Sequence, residues 1–347
     1  MKEFRRHWCG WNFALVMIFL LPAAAPAGRG DKTGTAAAME LLIPVGAHSI
    51  AIGGACLATL QGVEAIQWNP AGVAKSPYGT VVMVSHMTYL ADIAIEYAAI
   101  GTRVGDVASL ALSVKSLSVG DIPVTTEDHP DGTGETTSPT VLVIGGTLAR
   151  NISDRISMGV TSNLVYEKMA KVAATDIAFN VGLQYAGLGG IDGLSFGVAV
   201  KNLGPRMRYD GDGLIRQATV EDALRNSSPI KIAGSSSELP STIDIGLGYT
   251  HAVSSSNYII ISSTFQNNNF SDDEYRFGGE YVVQNSISFR AGYVHSSPSE
   301  GGEYIYGLSA GFGIRTSIQN IDIMADYAYR AVKYFSGNHA ICLTIGF

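Results

Sequence analysis

The last nine residues, His339-Ala340-Ile341-Cys342-Leu343-Thr344-Ile345-Gly346-Phe347, alternate between large apolar side chains and small or polar ones. The same alternation recurs upstream, in the stretches 242–250, 286–295, 304–315 and 321–330. A period of two indicates extended strands that present one apolar face. The carboxyl-terminal part of the chain is therefore predicted to be a series of strands.

The face opposite the apolar one indicates where the sheet lies. In the stretch 304–315, one face carries Tyr306, Leu308, Ala310, Phe312 and Ile314, and the other carries Gly307, Ser309, Gly311, Gly313 and Arg315. A soluble sandwich buries its apolar face, whereas a membrane barrel turns apolar residues to lipid and small or polar residues to its lumen. Strands of about ten residues that end at Tyr or Phe have the length of a tilted crossing. We predict an all-β, closed antiparallel transmembrane β-barrel, with Tyr306 facing lipid and Gly307 facing the lumen.

Connection lengths support a barrel of about fourteen strands. The predicted strands are 79–89, 92–101, 106–117, 139–149, 155–166, 174–186, 193–203, 240–251, 257–266, 274–283, 286–295, 303–315, 320–330 and 338–347. Single-chain bacterial barrels have an even strand number, short periplasmic turns and longer outer loops. Every even-numbered connection is short, and the odd ones are mostly long, apart from the first near Leu90. The terminal Phe347 is interpreted as the signal for the barrel-assembly machinery.

The amino terminus resembles an export signal. Lys2, Arg5 and Arg6 precede an apolar core at 11–21, and Ala25-Pro26-Ala27 fits a small-x-small cleavage site. The alternative, an uncleaved anchor, is disfavoured because the core is short and a proline follows it. We therefore predict a signal peptide at 1–27, a lead and plug at 28–78, and an outer-membrane barrel at 79–347.

Charge and cysteine content restrict the partners and the chemistry. Charged residues make up 15% of the chain, below the roughly 25% of soluble domains. Removing Lys2, Glu3, Arg5 and Arg6 with the signal takes the net charge from −7 to −9, which argues against a nucleic-acid partner. Cys56 and Cys342 would remain, and either a disulfide or two buried thiols fits them, with the thiols preferred.

Residues 41–74 differ from the predicted strands in composition and in the pattern of apolar residues. Small residues dominate, two-residue alternation is absent, and the order favours a short helix followed by a turn at Asn69-Pro70. Such a segment has too many free backbone groups to cross lipid. It is predicted to pack inside the barrel or against its periplasmic mouth, and lumen glycines such as Gly246 and Gly248 would let it approach the wall closely.

Six charged residues fall on lumen faces of late strands: Asp244, Arg276, Glu280, Arg290, Asp322 and Asp326. They could line a selective pore. A cross-strand ladder of ion pairs that stiffens the wall and anchors the plug is the preferred interpretation, because shielded charges are usually paired. The loop at 204–239 is locally basic, with helical turns predicted at 217–226, and suits either an acidic partner such as lipopolysaccharide or ordinary solvation.

Catalytic and cofactor patterns are weak. Gly307-Leu308-Ser309-Ala310-Gly311 matches GxSxG, but it lies within a strand pattern and lacks the strand-to-helix turn of a nucleophile elbow. Cysteine and histidine are not at metal-ligand spacing. We predict no catalytic residue, no metal site, no cofactor and no enzyme.

Two segments resemble the PorV/PorQ family, within the wider FadL-like group of plugged outer-membrane barrels. One is 46–55, which contains Gly53 and Gly54, and the other is the box Gln67-Trp68-Asn69-Pro70-Ala71-Gly72. Residues 199–204 and 239–249 resemble further stretches of that family. The first segment carries Ala47-His48-Ser49-Ile50 where the family commonly has an arginine and alanines.

The resemblance implies one of two functions. A PorV-like protein would act in type IX secretion, receiving cargo proteins with partner subunits at the outer membrane. A FadL-like protein would instead let long-chain fatty acids or other hydrophobic small molecules diffuse inward past the plug. The resemblance favours the first of these, and it implies no cofactor for either.

Overall fold

The computed structural model describes residues 34–91, 93–105, 107–218, 227–296 and 303–347. The predicted signal peptide at 1–27 lies outside these ranges. Fourteen antiparallel strands form one closed barrel, in which the first strand pairs with the last. This result confirms the predicted fold class and strand number.

The barrel strands follow one another around the wall in chain order. They are β1 (Thr80–Thr88), β2 (Ala94–Val104), β3 (Ala108–Ser118), β4 (Thr140–Asn151), β5 (Ile156–Met169), β6 (Val172–Ala186), β7 (Leu194–Leu203), β8 (Thr242–Ala252), β9 (Tyr258–Asn268), β10 (Glu274–Val283), β11 (Ile287–Ser296), β12 (Tyr306–Ile318), β13 (Ile321–Val332) and β14 (Asn338–Gly346).

The two ends of the barrel differ in their connections. β1 begins and β14 ends at the same end, where Val81 pairs with Gly346, and the connections there are short. We call this the turn end. The opposite end, here the loop end, carries the long connections 119–139 and 204–241. Short turns mark the periplasmic side of outer-membrane barrels, so the loop end is the outer one.

One connection at the loop end was predicted wrongly. Residues 167–173 were assigned to a loop, but β5 and β6 continue through them to a two-residue turn at Ala170–Lys171. The polar residues Glu167 and Lys168 interrupt the apolar alternation without ending the pairing. Odd-numbered connections were predicted to be mostly long, apart from the first near Leu90. The short turn between β5 and β6 is a second exception to that prediction.

Side-chain exposure confirms the inside-out arrangement. On β14, Ile341 is 58% exposed whereas the neighbouring Cys342 is 1% exposed. On β11, Phe289 is 57% exposed, and on β8 the charged Asp244 is 1% exposed. On these strands apolar side chains form the outer surface and small or polar ones face the lumen, as in a membrane barrel. On β1 and β2 the inward face is instead apolar, with Met83, Met87, Ile95 and Tyr97 buried.

A β-bulge in β12 reverses two of the predicted orientations. The register with β13 shifts between Tyr306 and Ser309, because one extra residue at Gly307–Leu308 interrupts the alternation. Tyr306 therefore faces the lumen, where its hydroxyl meets that of Tyr89, and Gly307 lies beside Tyr293 on the outer side. Both orientations are the reverse of those that the sequence pattern predicts, with Tyr306 toward lipid and Gly307 toward the lumen.

The segment before β1 fills the lumen. Its regular elements are a 3₁₀ turn at Met39–Leu42, helix α1 (Ala47–Ala51), helix α2 (Ala65–Trp68) and a second 3₁₀ turn at Pro70–Lys75. We call residues 34–79 the plug. Its first residues lie at the loop end, where Ala37 N donates to Glu238 O, and its last residues lead into β1 at the turn end.

The long outer connections contain three short two-stranded ribbons. These pair Ile122–Pro123 with Thr136–Thr137, Met207–Arg208 with Ser236–Ser237, and Ile215–Ala218 with Ser228–Lys231. The helical turns predicted at 217–226 are wrong at their first two residues, which belong to a ribbon strand. The remainder, 219–226, lies outside the described residues.

Candidate functional site

The plug touches the barrel wall at glycines. A Cβ on Gly159 would lie 2.3 Å from Pro70 O, and one on Gly292 would lie 2.2 Å from Gly53 N. Both distances are far below van der Waals contact, so the plug backbone occupies the space that side chains would need. Gly53 and Gly54 turn the chain there with φ angles of 66° and 75°, which glycine adopts at little cost.

Asn69 joins the plug to the wall and to itself. Its Nδ2 donates to Leu57 O at 2.9 Å and to Leu183 O of β6 at 3.0 Å. Its Oδ1 accepts from Ala71 N and caps the turn that begins at Pro70. The side chain is fully buried. A Cβ on Gly72 would lie 2.3 Å from Leu60 O, which explains the glycine that closes this box.

A chain of ion pairs runs from the wall into the plug. Arg290 on β11 contacts Asp326 on β13 at 2.5 Å and Glu280 on β10 at 2.8 Å. The second oxygen of Glu280 lies 3.1 Å from His48 Nε2 in α1. We call Asp326, Arg290, Glu280 and His48 the clasp. It links three strands to the plug through side chains that are mostly shielded from water.

The environment of His48 favours its protonated form. Burial and the nearby Arg290 charge oppose protonation, but the carboxylates of Glu280 and Glu64 outweigh them and raise the pKa of His48. Glu64 lies in the plug, 4.0 Å from His48 Nδ1, and accepts from Ser49 N at 2.8 Å. Burial raises the pKa of the Glu64 carboxyl, although His48 and Ser49 act against this rise.

A second group of charges surrounds Trp68. Lys201 on β7 pairs with Asp244 at 2.7 Å, and Arg276 pairs with Glu274 at 2.6 Å. The two cations lie 5.9 and 5.6 Å from the Trp68 ring, within range of a cation–π contact. Trp68 Nε1 donates to Val45 O in the plug.

The sixth predicted lumen charge lies apart from both groups. Asp322 accepts from the hydroxyl of Tyr78 at 2.8 Å and from Ser317 Oγ, at the turn end of the barrel. Nearby, Phe347 N donates to Thr80 O at 2.8 Å, which extends the seam between β14 and β1. The Phe347 ring is exposed, as an assembly signal would need to be.

Four residues of these groups were missed by the sequence analysis: His48, Glu64, Lys201 and Glu274. Lys201 had the clearest signal, because its position in β7 alternates with outward apolar residues. His48 and Glu64 lie in irregular segments, where no period assigns a side chain to a face. Their partners depend on how the plug folds back inside the barrel.

The plug separates two cavities. The inner cavity, about 980 Å³, opens at the turn end and includes the clasp and Arg103 in its lining. The outer cavity, about 460 Å³, lies at the loop end and is lined by plug residues, aromatic rings and cations. The two cavities share no lining residue.

The remaining candidate features have structural partners. Ser309 of the GxSxG match lies in β12, where its buried hydroxyl donates to Ala51 O of the plug. Cys56 and Cys342 are buried free thiols. In the described ranges, no cluster of three metal-ligating side chains occurs. No described helix is both long and apolar enough to span a bilayer.

Solved structures similar to this chain include a hydrocarbon channel, a FadL homologue and a toluene transporter. The "CymD monoaromatic hydrocarbon channel" superposes with a TM-score of 0.55 at 15% identity, over 88% of this chain and 98% of that one. A Pseudomonas aeruginosa FadL homologue gives 0.55 at 11% identity, over 88% and 98%. The Pseudomonas putida toluene transporter TodX gives 0.53 at 12% identity, over 86% and 96%. These likenesses establish the fold alone.

Sequence comparison identifies the family. No curated protein sequence matches the chain. The family profile described as "Type IX secretion system protein PorV" matches residues 27–226, from the predicted cleavage site through the plug and into the longest outer connection. That match covers more than half of the chain and includes the Trp-Asn-Pro box. The chain therefore belongs to the PorV family and is an outer-membrane β-barrel of the FadL-like fold.

Proposed function

We propose that this protein serves type IX secretion as a plugged outer-membrane component that receives exported cargo at the cell surface. The filled lumen is the observation that supports this role best. The plug packs against wall glycines with its backbone, and the clasp and Asn69 fasten it to the barrel wall. A folded cargo protein has no path through such a barrel.

Cargo contact must then occur on the outer connections. The connections 119–139 and 204–241 extend beyond the barrel at the loop end, and each contains paired ribbons that give it a defined shape. The basic character of the second connection is partly neutralised. Arg206 pairs with Glu238 and Lys231 with Asp210, so shape and hydrogen bonding, more than net charge, would select a partner.

Other partners follow from the location. The exposed apolar belt would contact membrane lipid, the outer connections would contact lipopolysaccharide, and the exposed Phe347 would be read by the barrel-assembly machinery. An amino-terminal signal peptide would bring the chain to that machinery. Secretion-system subunits would bind the same outer surface as cargo, or its rim.

A secretion assay tests the role. The gene is deleted in a host that has type IX secretion, and cargo is quantified at the surface and in the periplasm. We expect cargo to accumulate in the periplasm, and the intact gene to restore export. Removal of residues 215–231, which include the paired strands Ile215–Ala218 and Ser228–Lys231 of an outer ribbon, should reduce export while the folded barrel still assembles. Normal export in the deletion strain would exclude the proposed role.

A matched variant distinguishes the two outer connections. Removal of residues 122–137 takes a similar length, including its short ribbon, from the other long connection at the same end of the barrel. If only the 215–231 deletion blocks export, the second connection receives cargo. If both deletions leave export unchanged, cargo is received elsewhere, and the proposed outer reception is wrong.

The register of β6 favours a second candidate, passage of hydrophobic small molecules. β7 pairs with β6 only from Phe179 onward, so residues 172–178 lack a barrel strand on that side. Met207 and Leu239 of the outer connection fill this space and are almost fully buried. If they moved aside, an apolar molecule could leave the lumen sideways into the membrane. Uptake of labelled fatty acid by cells lacking their own channel would test this candidate.

A further inference from the structure

The outward aromatic side chains of the barrel leave one sector of the wall bare. Each of the strands β5 to β13 carries at least one of them, for example Tyr166 on β5, Phe289 on β11 and Tyr329 on β13. Within the bounds of the four strands β1 to β4, the one aromatic residue is Tyr97, which is buried on the inward face. Aromatic girdles mark the contact of a barrel with its membrane, so this sector lacks a normal feature of a lipid-facing wall.

The bare sector carries an ion pair on its outward surface. His86 on β1 is directly opposite Glu96 on β2, and His86 Nδ1 lies 2.6 Å from Glu96 Oε1. The two side chains are 47% and 58% exposed. Both strands continue beyond the pair, where Thr88 is opposite Ala94, so the pair lies within the wall. Ionisable side chains that face lipid cost free energy, and in membrane proteins they usually face other protein.

The surroundings of the pair are mostly apolar and free of large rings. Val84 and Ala98 are the next outward residues toward the turn end, on β1 and β2. Ile341 of β14 is opposite the histidine, and Ser116 of β3 is opposite the glutamate. The exposed surface around the pair is therefore smooth, and another protein wall could approach it closely.

The ion pair is complementary to a copy of itself. An imidazole has two ring nitrogens and a carboxylate has two oxygens, and the contact uses one of each. Among the described residues, His86 Nε2 and Glu96 Oε2 have no hydrogen-bond partner. A two-fold axis along the membrane normal, between β1 and β2, would place His86 opposite the partner's Glu96 and Glu96 opposite the partner's His86. Imidazoles and carboxylates would then alternate around the axis.

The flanking strands match in the same arrangement. The axis would bring β14 of one copy opposite β3 of the other, so that Ile341 and Leu343 meet Leu112 and Val114. All four side chains are exposed on the outer surface. Four strands about 4.8 Å apart, over an apolar belt about 25 Å tall, give up to roughly 480 Å² from each copy. Two copies would bury up to roughly 1,000 Å², the lower end of specific interfaces.

We propose that this face is where two copies of the chain pair side by side in the outer membrane, with His86 and Glu96 at the two-fold axis. Pairing withdraws both side chains from lipid and gives each a second partner. A different membrane protein could also cover an apolar face, but the self-complementary ion pair favours a second copy. The face lies outside the wall, so pairing leaves the plug contacts of each barrel unchanged. The proposal does not rest on the role in secretion.

Ala98→Cys reports directly on this contact. Ala98 lies close to the proposed axis, on the outward side of β2. Outer membranes that contain the variant are treated with a short bifunctional thiol reagent and analysed on denaturing gels. Ala291→Cys is the matched control, because Ala291 faces outward on β11, away from the bare sector. Both variants retain the buried thiols Cys56 and Cys342, so the background is the same.

We expect a cross-linked product of twice the chain's mass from Ala98→Cys. Thiols held at one interface have a far higher effective concentration than thiols that meet by diffusion, so the yield should exceed that of Ala291→Cys by at least about tenfold.

Reversal of the ion pair tests whether it holds the copies together. In the Ala98→Cys background, His86→Glu places four carboxylates around the axis. Like charges across an interface are strongly unfavourable, so association should weaken about tenfold or more. Adding Glu96→His restores the alternation, and the dimer should return. Slower migration of the heated sample on gels verifies that each variant has a folded barrel. If His86→Glu does not fold, Glu96→Gln replaces it, with a several-fold loss of dimer.

Three results would overturn the proposal. One is an equal yield of dimer from Ala98→Cys and Ala291→Cys. Another is a cross-linked product that contains a different protein, which would then be the occupant of this face. The third is a dimer that persists in the folded single variant, or that does not return in the folded double variant.

Discussion

His48 Nε2 lies 3.1 Å from Glu280 Oε2, and this contact joins the plug to the barrel wall at the inner cavity. Glu280 also binds Arg290, so His48 is the plug's own contribution to the clasp. Replacing His48 with Ala should weaken plug retention by about 1.5–3 kcal/mol, the usual range for a hydrogen bond to a charged group. The expected result is a higher frequency of open-channel events in planar bilayers, with an intact barrel.

His86 offers the control for this measurement. It pairs with Glu96 at 2.6 Å, but both side chains are exposed on the outer side of the wall. His86→Ala therefore removes a similar pair without touching the plug, and its conductance should match that of the unaltered protein. Equal conductance in His48→Ala would show that the clasp does not hold the plug.

Plug retention should decrease as pH rises. The groups that face His48 are Glu64 from the plug and Glu280 and Arg290 from the wall. A histidine whose pKa is raised in the folded protein contributes its full stabilisation below the pKa of about 6.5 that it has in the unfolded chain. It loses that contribution as the pH rises through its higher pKa in the folded protein. Glu64 acts in the same direction, because a buried carboxyl with a raised pKa also resists losing its proton. Open-channel events should therefore become more frequent from about pH 6.5 upward.

The variant His48→Gln tests the source of that dependence. Glutamine can still donate to Glu280 but does not titrate. The part of the pH dependence that begins at about pH 6.5 and comes from His48 should therefore disappear. A pH profile identical to that of the unaltered protein would assign the effect to other groups. Retention that increased with pH would contradict the sign derived from both shifts.

Lumen glycines should be essential wherever the plug backbone meets the wall. In Gly159→Ala, the new methyl would lie 2.3 Å from Pro70 O, so the plug must move or the strand must bend. Overpacking of this kind typically costs 1–3 kcal/mol. Gly146 on the adjacent β4 has open space around its Cβ position, and Gly146→Ala should be neutral. The measurement is the midpoint of heat-induced unfolding on gels, where folded barrels migrate faster.

Period-two alternation was sufficient to predict the barrel. Along each regular strand, successive side chains point alternately outward and inward. Once one side chain such as Ile341 is known to point outward, the orientation of every other residue in that strand follows. The same alternation explains the error at Tyr306, because a single bulge reverses every residue beyond it. Nothing in the letters Gly307-Leu308 distinguishes a bulge from regular pairing. The resulting contact of Tyr306 with Tyr89 in the lumen was therefore not predictable from alternation.

The candidate site was predicted only on its barrel side. Glu280, Arg290 and Asp326 were placed in the lumen by parity, and the structure brings them together. Their plug partner, His48, lies 232 residues from Glu280 in sequence, in a segment without alternation. Its contact depends on how irregular backbone packs against glycines, and that packing has no local signal in the sequence.

The buried pair of Lys201 and Asp244 permits a thermodynamic cycle. Both side chains are less than a tenth exposed and lie 2.7 Å apart on adjacent strands. Asp244→Asn should destabilise the barrel by about 3–5 kcal/mol, because it leaves the lysine charge buried and unpaired. The double variant Lys201→Met with Asp244→Leu should recover most of that loss, since no buried charge remains. If the double variant were as unstable as Asp244→Asn, the cost would come from lost packing around Trp68 and the unpaired charge would not be its cause. Unfolding midpoints of both variants, measured beside the unaltered protein, distinguish these outcomes.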